Sequence, residues 1–155
     1  MRVATWNVNS LKVRLPQVLQ WLAEREADAT PVDLLCLQEL KLPDDRYPLA
    51  ELDAAGYASL FTGQKTYNGV AILARKAALP EGRDVVKNIP GFADEQQRIV
   101  AATYDAASGP VRVISAYIPN GQALDSDKMV YKMRWLAALQ DWLKAEMTAH
   151  PRLML

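Results

Sequence analysis

Two strand-like runs flank one helical stretch near the start of this chain, and both stop on polar side chains able to hold a cation. The first is Arg2-Val3-Ala4-Thr5-Trp6, followed by Asn7-Val8-Asn9-Ser10. The second is Val32-Asp33-Leu34-Leu35-Cys36-Leu37, followed by Gln38-Glu39-Leu40-Lys41. Strand, helix, strand in this order reads as a βαβ unit, whose two strands run parallel and are often neighbours. Asn7 and Glu39 then fall at the same carboxyl edge of one sheet, where open α/β sheets place their ligands. A carboxylate and an amide oxygen are hard donors suited to Mg²⁺. Alone, such an Asn is usually a turn residue and such a Glu is usually solvated. The surrounding words of the sequence change that weight.

At 155 residues, half of them hydrophobic, the chain can bury the core of one domain. Its 18 basic and 18 acidic residues balance, so any attraction to a polyanion must come from local basic loops. The single cysteine, Cys36, lies in an apolar run and reads as a buried core residue. No run approaches the roughly 20 apolar residues of a membrane span. The first residues already form a strand pattern with no signal-peptide architecture, which makes a cytoplasmic protein the default expectation.

Ser10 is placed to cap a helix over 10–24, with Leu11, Leu15, Val18, Leu19 and Leu22 at helical spacing and Pro16 in its first turns. A short helix over 48–55 ends at Gly56. Strands are expected over 57–61, 70–74, 84–89, 98–104 and 111–117, the last two as a hairpin over Ala106-Ala107-Ser108-Gly109. A long helix over 126–148 carries Met129, Met133, Leu136, Leu139, Leu143 and Met147 as its apolar stripe, with Trp135 and Trp142 flanking it. The final Arg152-Leu153-Met154-Leu155 reads as the start of another core strand, so the chain is expected to be a fragment.

Four short words occur along this pattern: Trp6-Asn7-Val8-Asn9-Ser10, Leu37-Gln38-Glu39-Leu40-Lys41, Tyr67-Asn68-Gly69-Val70-Ala71-Ile72-Leu73 and Tyr117-Ile118-Pro119-Asn120-Gly121. Each is weak alone. Together, in this order and at strand ends, they resemble the exodeoxyribonuclease III and apurinic/apyrimidinic endonuclease family of the endonuclease/exonuclease/phosphatase superfamily. The resemblance implies a four-layer α/β sandwich, of which this chain is expected to supply only the first sheet and its helices. It spans the whole chain but about the first half of the family's domain. A Gly-Asp-x-Asn strand end, a further Asn/Asp pair and a Ser-Asp-His, which the family carries later, are absent.

By that resemblance Glu39 is the metal-binding glutamate and Asn7 the asparagine beside it, with Mg²⁺ as cofactor and Mn²⁺ as its alternative. Tyr117 matches the active-site tyrosine, a phenol able to donate to a phosphate oxygen. Asn120 matches a phosphate-contacting asparagine, and Tyr67 and Asn68 lie in the loop beside the DNA backbone. Lys65 and Arg98 are nearby basic candidates for phosphate. Lys41 suits either an ion pair with Glu39 or a phosphate contact. His150, the only histidine, follows a helix and reads as structural. The implied activity of the full-length protein is Mg²⁺-dependent cleavage of duplex DNA at abasic sites and 3′ ends, as a monomer, in base-excision repair.

Two expectations follow for the 155 residues alone: little turnover, because the family's water-activating aspartate is missing, and an uncovered apolar sheet face that favours aggregation or oligomers. A phosphatase on the same fold, acting on a phosphorylated small molecule or lipid, stays open. So does a non-catalytic half-domain.

Overall fold

The computed structural model describes all residues from Met1 to Leu155. Two four-stranded sheets lie face to face, with helices on both outer sides. The first sheet has the order β1-β2-β4-β3 and is built from β1 (Val3–Asn7), β2 (Leu34–Gln38), β3 (Tyr57–Thr62) and β4 (Val70–Arg75). β1 and β2 are parallel neighbours, joined by α1 (Leu11–Ala27), so the expected βαβ unit is present. The second sheet has the order β5-β6-β7-β8, from β5 (Arg83–Lys87), β6 (Ile99–Ala106), β7 (Gly109–Ala116) and β8 (Leu153–Met154). β6 and β7 form the expected hairpin, closed by the Ala106–Gly109 pair. α3 (Asp127–Ala149) then crosses over to set β8 parallel to β7. No helix is long and apolar enough to cross a membrane.

The α/β sandwich is as expected, but the expectation that only its first sheet is present is corrected here. Successive residues of a strand face opposite sides, and β6 is apolar on both. Ile99 and Ala101 pack under α3, while Val100, Ala102 and Tyr104 meet Leu34, Cys36 and Ile72 of the first sheet. The hairpin thus lies face to face with the first sheet as part of a second one, with α3 on its outer side. The bare sheet face expected from the sequence is therefore absent, because the two inner faces cover each other. What remains open is a groove of about 800 Å³ between β1 and β7–β8, lined by Val3, Thr5, Cys36, Ile114 and Leu155 among others. Cys36 itself is buried, and burial pushes its thiol up to about 11, which leaves it an inert core group.

On the far side of the first sheet, Leu11, Val18 and Leu22 of α1 and Leu52 of α2 (Leu49–Ala54) pack on Leu35, Leu37, Ala71 and Leu73. Ser10 holds the N-cap position of α1 but makes no side-chain cap bond. Its φ of 93° turns the chain so that the Leu11 N–H donates to Leu40 O at 3.0 Å instead. α3 also departs from the expected stripe. Trp135 and Leu139 are its buried residues, whereas Met133 is 58% exposed and Met147 more so. Trp135, buried, and Trp142, half-buried beside it, set the helix's rotation, because covering indoles removes more apolar surface than covering methionines.

Asp33 locks the start of β2. It accepts Nε and Nη2 of Arg75 at 3.2 and 2.8 Å, and the Arg2 backbone N–H at 2.8 Å. Burial alone would raise its pKa, but these donors outweigh it and hold the carboxyl below its ordinary value. Its contribution is therefore complete above the ordinary carboxylate range and disappears as pH falls through its lower folded value. Asp33→Asn is expected to cost about 2 kcal/mol at pH 7. In urea melts run at successively lower pH, the gap between this variant and the wild type should close in acid. A gap that persists there would show that the carboxylate charge is not the source.

Candidate active site

The loops that follow β1 and β2 are zipped together. Val8 N donates to Gln38 O at 3.0 Å, Ser10 N to Glu39 O at 2.8 Å and Leu11 N to Leu40 O at 3.0 Å. The second loop is also held from its other side, where Leu40 N and Lys41 N donate to Gly69 O and Asn68 O at 3.1 and 3.0 Å. Glu39, Lys41 and Asn68 all adopt positive φ to make these bonds, a cost that concentrates at functional sites. Gly69 has φ +87°, and a Cβ there would stand 2.9 Å from Leu40 Cβ. The Tyr67-Asn68-Gly69 word thus has a structural reason: only glycine lets that loop press against the backbone that presents Glu39.

Asn7 and Glu39 are brought together as expected. Asn7 Nδ2 donates to Glu39 Oε1 at 2.8 Å, and Asn7 Oδ1 accepts the Asn9 N–H at 3.1 Å. Lys41 Nζ lies 3.0 Å from Glu39 Oε2 and also donates to Asn9 Oδ1, so of its two open roles the ion pair is the one formed. Tyr117 follows the last residue of β7 in the second sheet, and its phenol stands near enough to the same carboxylate for each to shift the other's pKa. Burial would raise the Glu39 pKa; Asn7, Lys41 and Tyr117 together hold it below its ordinary value. Tyr117 moves the other way, raised by burial and then by Glu39. It stays a protonated hydrogen-bond donor at neutral pH.

Glu39 is the only carboxylate in this cluster, and no group of three His, Cys, Asp or Glu side chains elsewhere could cage a metal. One carboxylate, a hard donor, suits a divalent cation whose other positions are taken by waters and a substrate phosphate. Asn7, as oriented here, turns its nitrogen toward Glu39, so it aims the carboxylate; its oxygen would face an ion only after the amide rotates.

Beside Tyr117 opens a cleft of about 670 Å³. Tyr67, Asn68, Arg98, Tyr117 and Asn120 all line it, so five residues singled out from separate parts of the sequence meet at one place. Asn68 is buried and donates Nδ2 to Gln64 and Gln96 side-chain oxygens at 3.0 and 3.3 Å. Asn120 Oδ1 accepts the Gln122 N–H at 2.9 Å, which closes the turn. Lys65 is exposed on the same loop as Tyr67.

Arg98 lines the cleft but is engaged by its neighbours. A basic candidate for phosphate by its sequence position, it is only 8% exposed, so it is not a solvated surface charge. Its Nε and Nη2 donate to Gln96 Oε1 at 3.0 and 2.6 Å, and Nη1 donates to Tyr117 O at 3.1 Å. Its guanidinium lies 5.1 Å from the Tyr117 ring centroid and 5.8 Å from that of Tyr131, within cation–π range of both. A planar cation over two aromatic faces positions Tyr117 more than it awaits a ligand. Burial and Asp94, which accepts the Tyr131 hydroxyl at 2.8 Å, push Tyr131 up to about 12. Asp94, Gln96, Tyr131 and the cleft-lining Lys128 were not anticipated. The available signal was the run Asp94-Glu95-Gln96-Gln97-Arg98, five polar residues directly before a buried strand. His150 takes no part in this cluster; its Nε2 lies 3.9 Å from Glu146 Oε2, one turn back along α3.

The model of the endonuclease/exonuclease/phosphatase family matches residues 4–153. Exodeoxyribonuclease III of Haemophilus influenzae is 30% identical over 148 residues, which are 94% of this chain and 52% of that protein. Among solved structures, the 3′ phosphatase NExo from Neisseria, bound to a product DNA hairpin, superposes with a TM-score of 0.87 at 47% identity. That match covers 99% of this chain and 55% of the other. An AP endonuclease from Archaeoglobus fulgidus superposes with a TM-score of 0.80 at 35% identity, covering 94% and 52%. The chain thus spans about half the length of the relatives it matches.

Proposed function

The chain belongs to the endonuclease/exonuclease/phosphatase family, and on that premise we propose that it supplies the metal-holding and phosphate-binding part of a DNA hydrolase acting at 3′ ends and abasic sites. The observation that carries this reading is the convergence on Glu39. Asn7 and Lys41 from the first sheet fix that carboxylate, and Tyr117 from the second, close enough to shift its pKa, lines a cleft together with Asn68 and Asn120. Mg²⁺ held by Glu39 would neutralise charge on a phosphate and polarise it toward in-line attack. Asn7 orients the carboxylate, and Lys41 balances its charge when no cation is bound. Tyr117, kept protonated, donates to a phosphate oxygen as charge grows there. Asn120 offers its amide nitrogen to the same group, its oxygen being used by the turn.

The cleft has no carboxylate and no histidine among its lining residues. No lining residue is thus a ready acceptor for the proton of the attacking water, and we expect these 155 residues to bind DNA with little turnover. The phosphatase alternative narrows in the same terms: the Neisseria relative is named a 3′ phosphatase, which favours a phosphomonoester on a DNA end over a free small molecule or lipid. The experiment compares duplexes carrying an abasic site, a 3′-phosphate or a plain 3′ end with a phosphorylated sugar. DNA binding that strengthens with Mg²⁺, without comparable affinity for the sugar phosphate, is the expected result. Absence of DNA binding would remove the reading; brisk turnover by this chain alone would remove the expectation of inactivity.

A further inference from the structure

A second, smaller hollow of about 440 Å³ opens at the far end of α3. Lys128 lines the cleft and Ala149 lines this hollow, so roughly 30 Å of helix separates the two. Its charged lining is all basic: Arg83 from the start of β5, Arg112 from β7, and Arg152 just before β8, with His150 beside them. Ser108 and Thr103 add hydroxyls, and neither a carboxylate nor a large apolar side chain lines it. Arg83 pairs with Asp84 and Asp105, and Arg112 with Glu146, but none of these three carboxylates is part of the lining. Arg152 has no carboxylate partner; its Nη1 donates to the Ser108 and Gly109 carbonyls and its Nη2 to Ser108 Oγ at 2.7 Å. Arg112 is the unusual member. It is 2% exposed, its Nε and Nη1 are bonded to Glu146, Asp84 O and Thr103 Oγ1, and its Nη2 makes no hydrogen bond to the protein. A guanidinium nitrogen left without a partner on so buried a residue is costly. The hydroxyls are free in the same sense: Ser108 Oγ and Thr103 Oγ1 each accept from a guanidinium, which leaves each hydroxyl proton to donate.

We propose that this hollow binds a phosphate group, as inorganic phosphate or a small phosphomonoester, through Arg112, Arg152 and Arg83 and the hydroxyls of Ser108 and Thr103. Guanidinium groups and hydroxyls are the donors that match phosphate oxygens, and a hollow of this size suits a small ligand. The site is separate from the cleft and does not depend on the DNA reading. A phosphate held there ties the start of β5, the β6–β7 turn and β7 to the segment that brings in β8, so its binding adds to the stability of the fold.

The test titrates the 155-residue chain with inorganic phosphate by calorimetry, at constant ionic strength and without divalent ions, with deoxyadenosine monophosphate as a parallel arm. Removing Arg112 would strand Glu146, so the variants are Arg152→Gln and Arg83→Gln, both at exposed positions. Wild type is expected to bind saturably, and each variant about tenfold more weakly, the loss of one charge-assisted hydrogen bond. Arg83→Gln decides alone if Arg152→Gln loses its fold, because Arg152 also holds the Ser108–Gly109 turn. Lys12→Gln removes the same charge from the exposed side of α1 and should bind as wild type does. Equal affinity for phosphate and nucleotide assigns the site to the phosphate group alone; tighter binding of the nucleotide assigns it to a carried phosphomonoester. No saturable binding of either ligand, binding undiminished in the arginine variants, or an equal loss with Lys12→Gln overturns the proposal.

Discussion

Glu39→Gln is expected to abolish divalent-ion binding to this chain, followed with Mn²⁺ as a paramagnetic probe. The glutamine is nearly isosteric and can still face Asn7, so the loop zipped to β1 and to Asn68–Gly69 should keep its shape. What disappears is the single negative charge of the cluster. Residues that only orient a metal ligand typically cost about 10–100-fold in affinity when removed. Asn7→Ala is expected in that range and Glu39→Gln beyond it. In a form of the protein that turns over, hydrolysis should fall in the same order. Mn²⁺ binding that survives Glu39→Gln would put the ion elsewhere and end the assignment of Glu39.

Glu146→Ala should be among the most damaging single changes to the fold. Its partner Arg112 lies on the outer face of β7 and is 2% exposed. Arg112 Nε donates to Glu146 Oε2 at 2.5 Å, while Nη1 donates to Asp84 O at 2.7 Å and to Thr103 Oγ1 at 3.4 Å. One guanidinium thus joins α3 to three strand segments. Removing the carboxylate strands a buried charge, which costs about 3–5 kcal/mol. For a chain of this length that lowers the melting temperature by on the order of 10 °C. Replacing both partners by apolar residues, Arg112→Met with Glu146→Leu, should recover most of the loss, since the pair's desolvation cost disappears with it. A melting temperature for Glu146→Ala indistinguishable from wild type would show that the pair is not needed.

Most of the elements could be read from the sequence, because hydrophobic period and Gly, Pro and Asn punctuation are local signals. The parallel β1–β2 pair and the meeting of Asn7 with Glu39 followed from a short, right-handed kind of connection. The second sheet did not, because nothing local says whether an apolar hairpin extends a sheet or faces it. The rotation of α3 is not legible for a related reason: Met133 and Trp135 are both apolar, and only the surface beneath the helix chooses between them. Arg98 and Arg112 were the hardest to read. A lone arginine in or beside a strand is indistinguishable in sequence from a solvated one; the burial of these two depends on Tyr117, Glu146 and Asp84 arriving from elsewhere.

Glu39 and Tyr117 belong to different sheets, and the layer between those sheets is filled in part by Cys36, Ala74 and Ala102. These small residues act as shims: their thickness sets the gap that the carboxylate and the phenol must span. A sequence that drifts to larger side chains at these buried positions would pry the two jaws apart with no change to any residue lining the cleft. The working tolerance of the site is thus written into its floor.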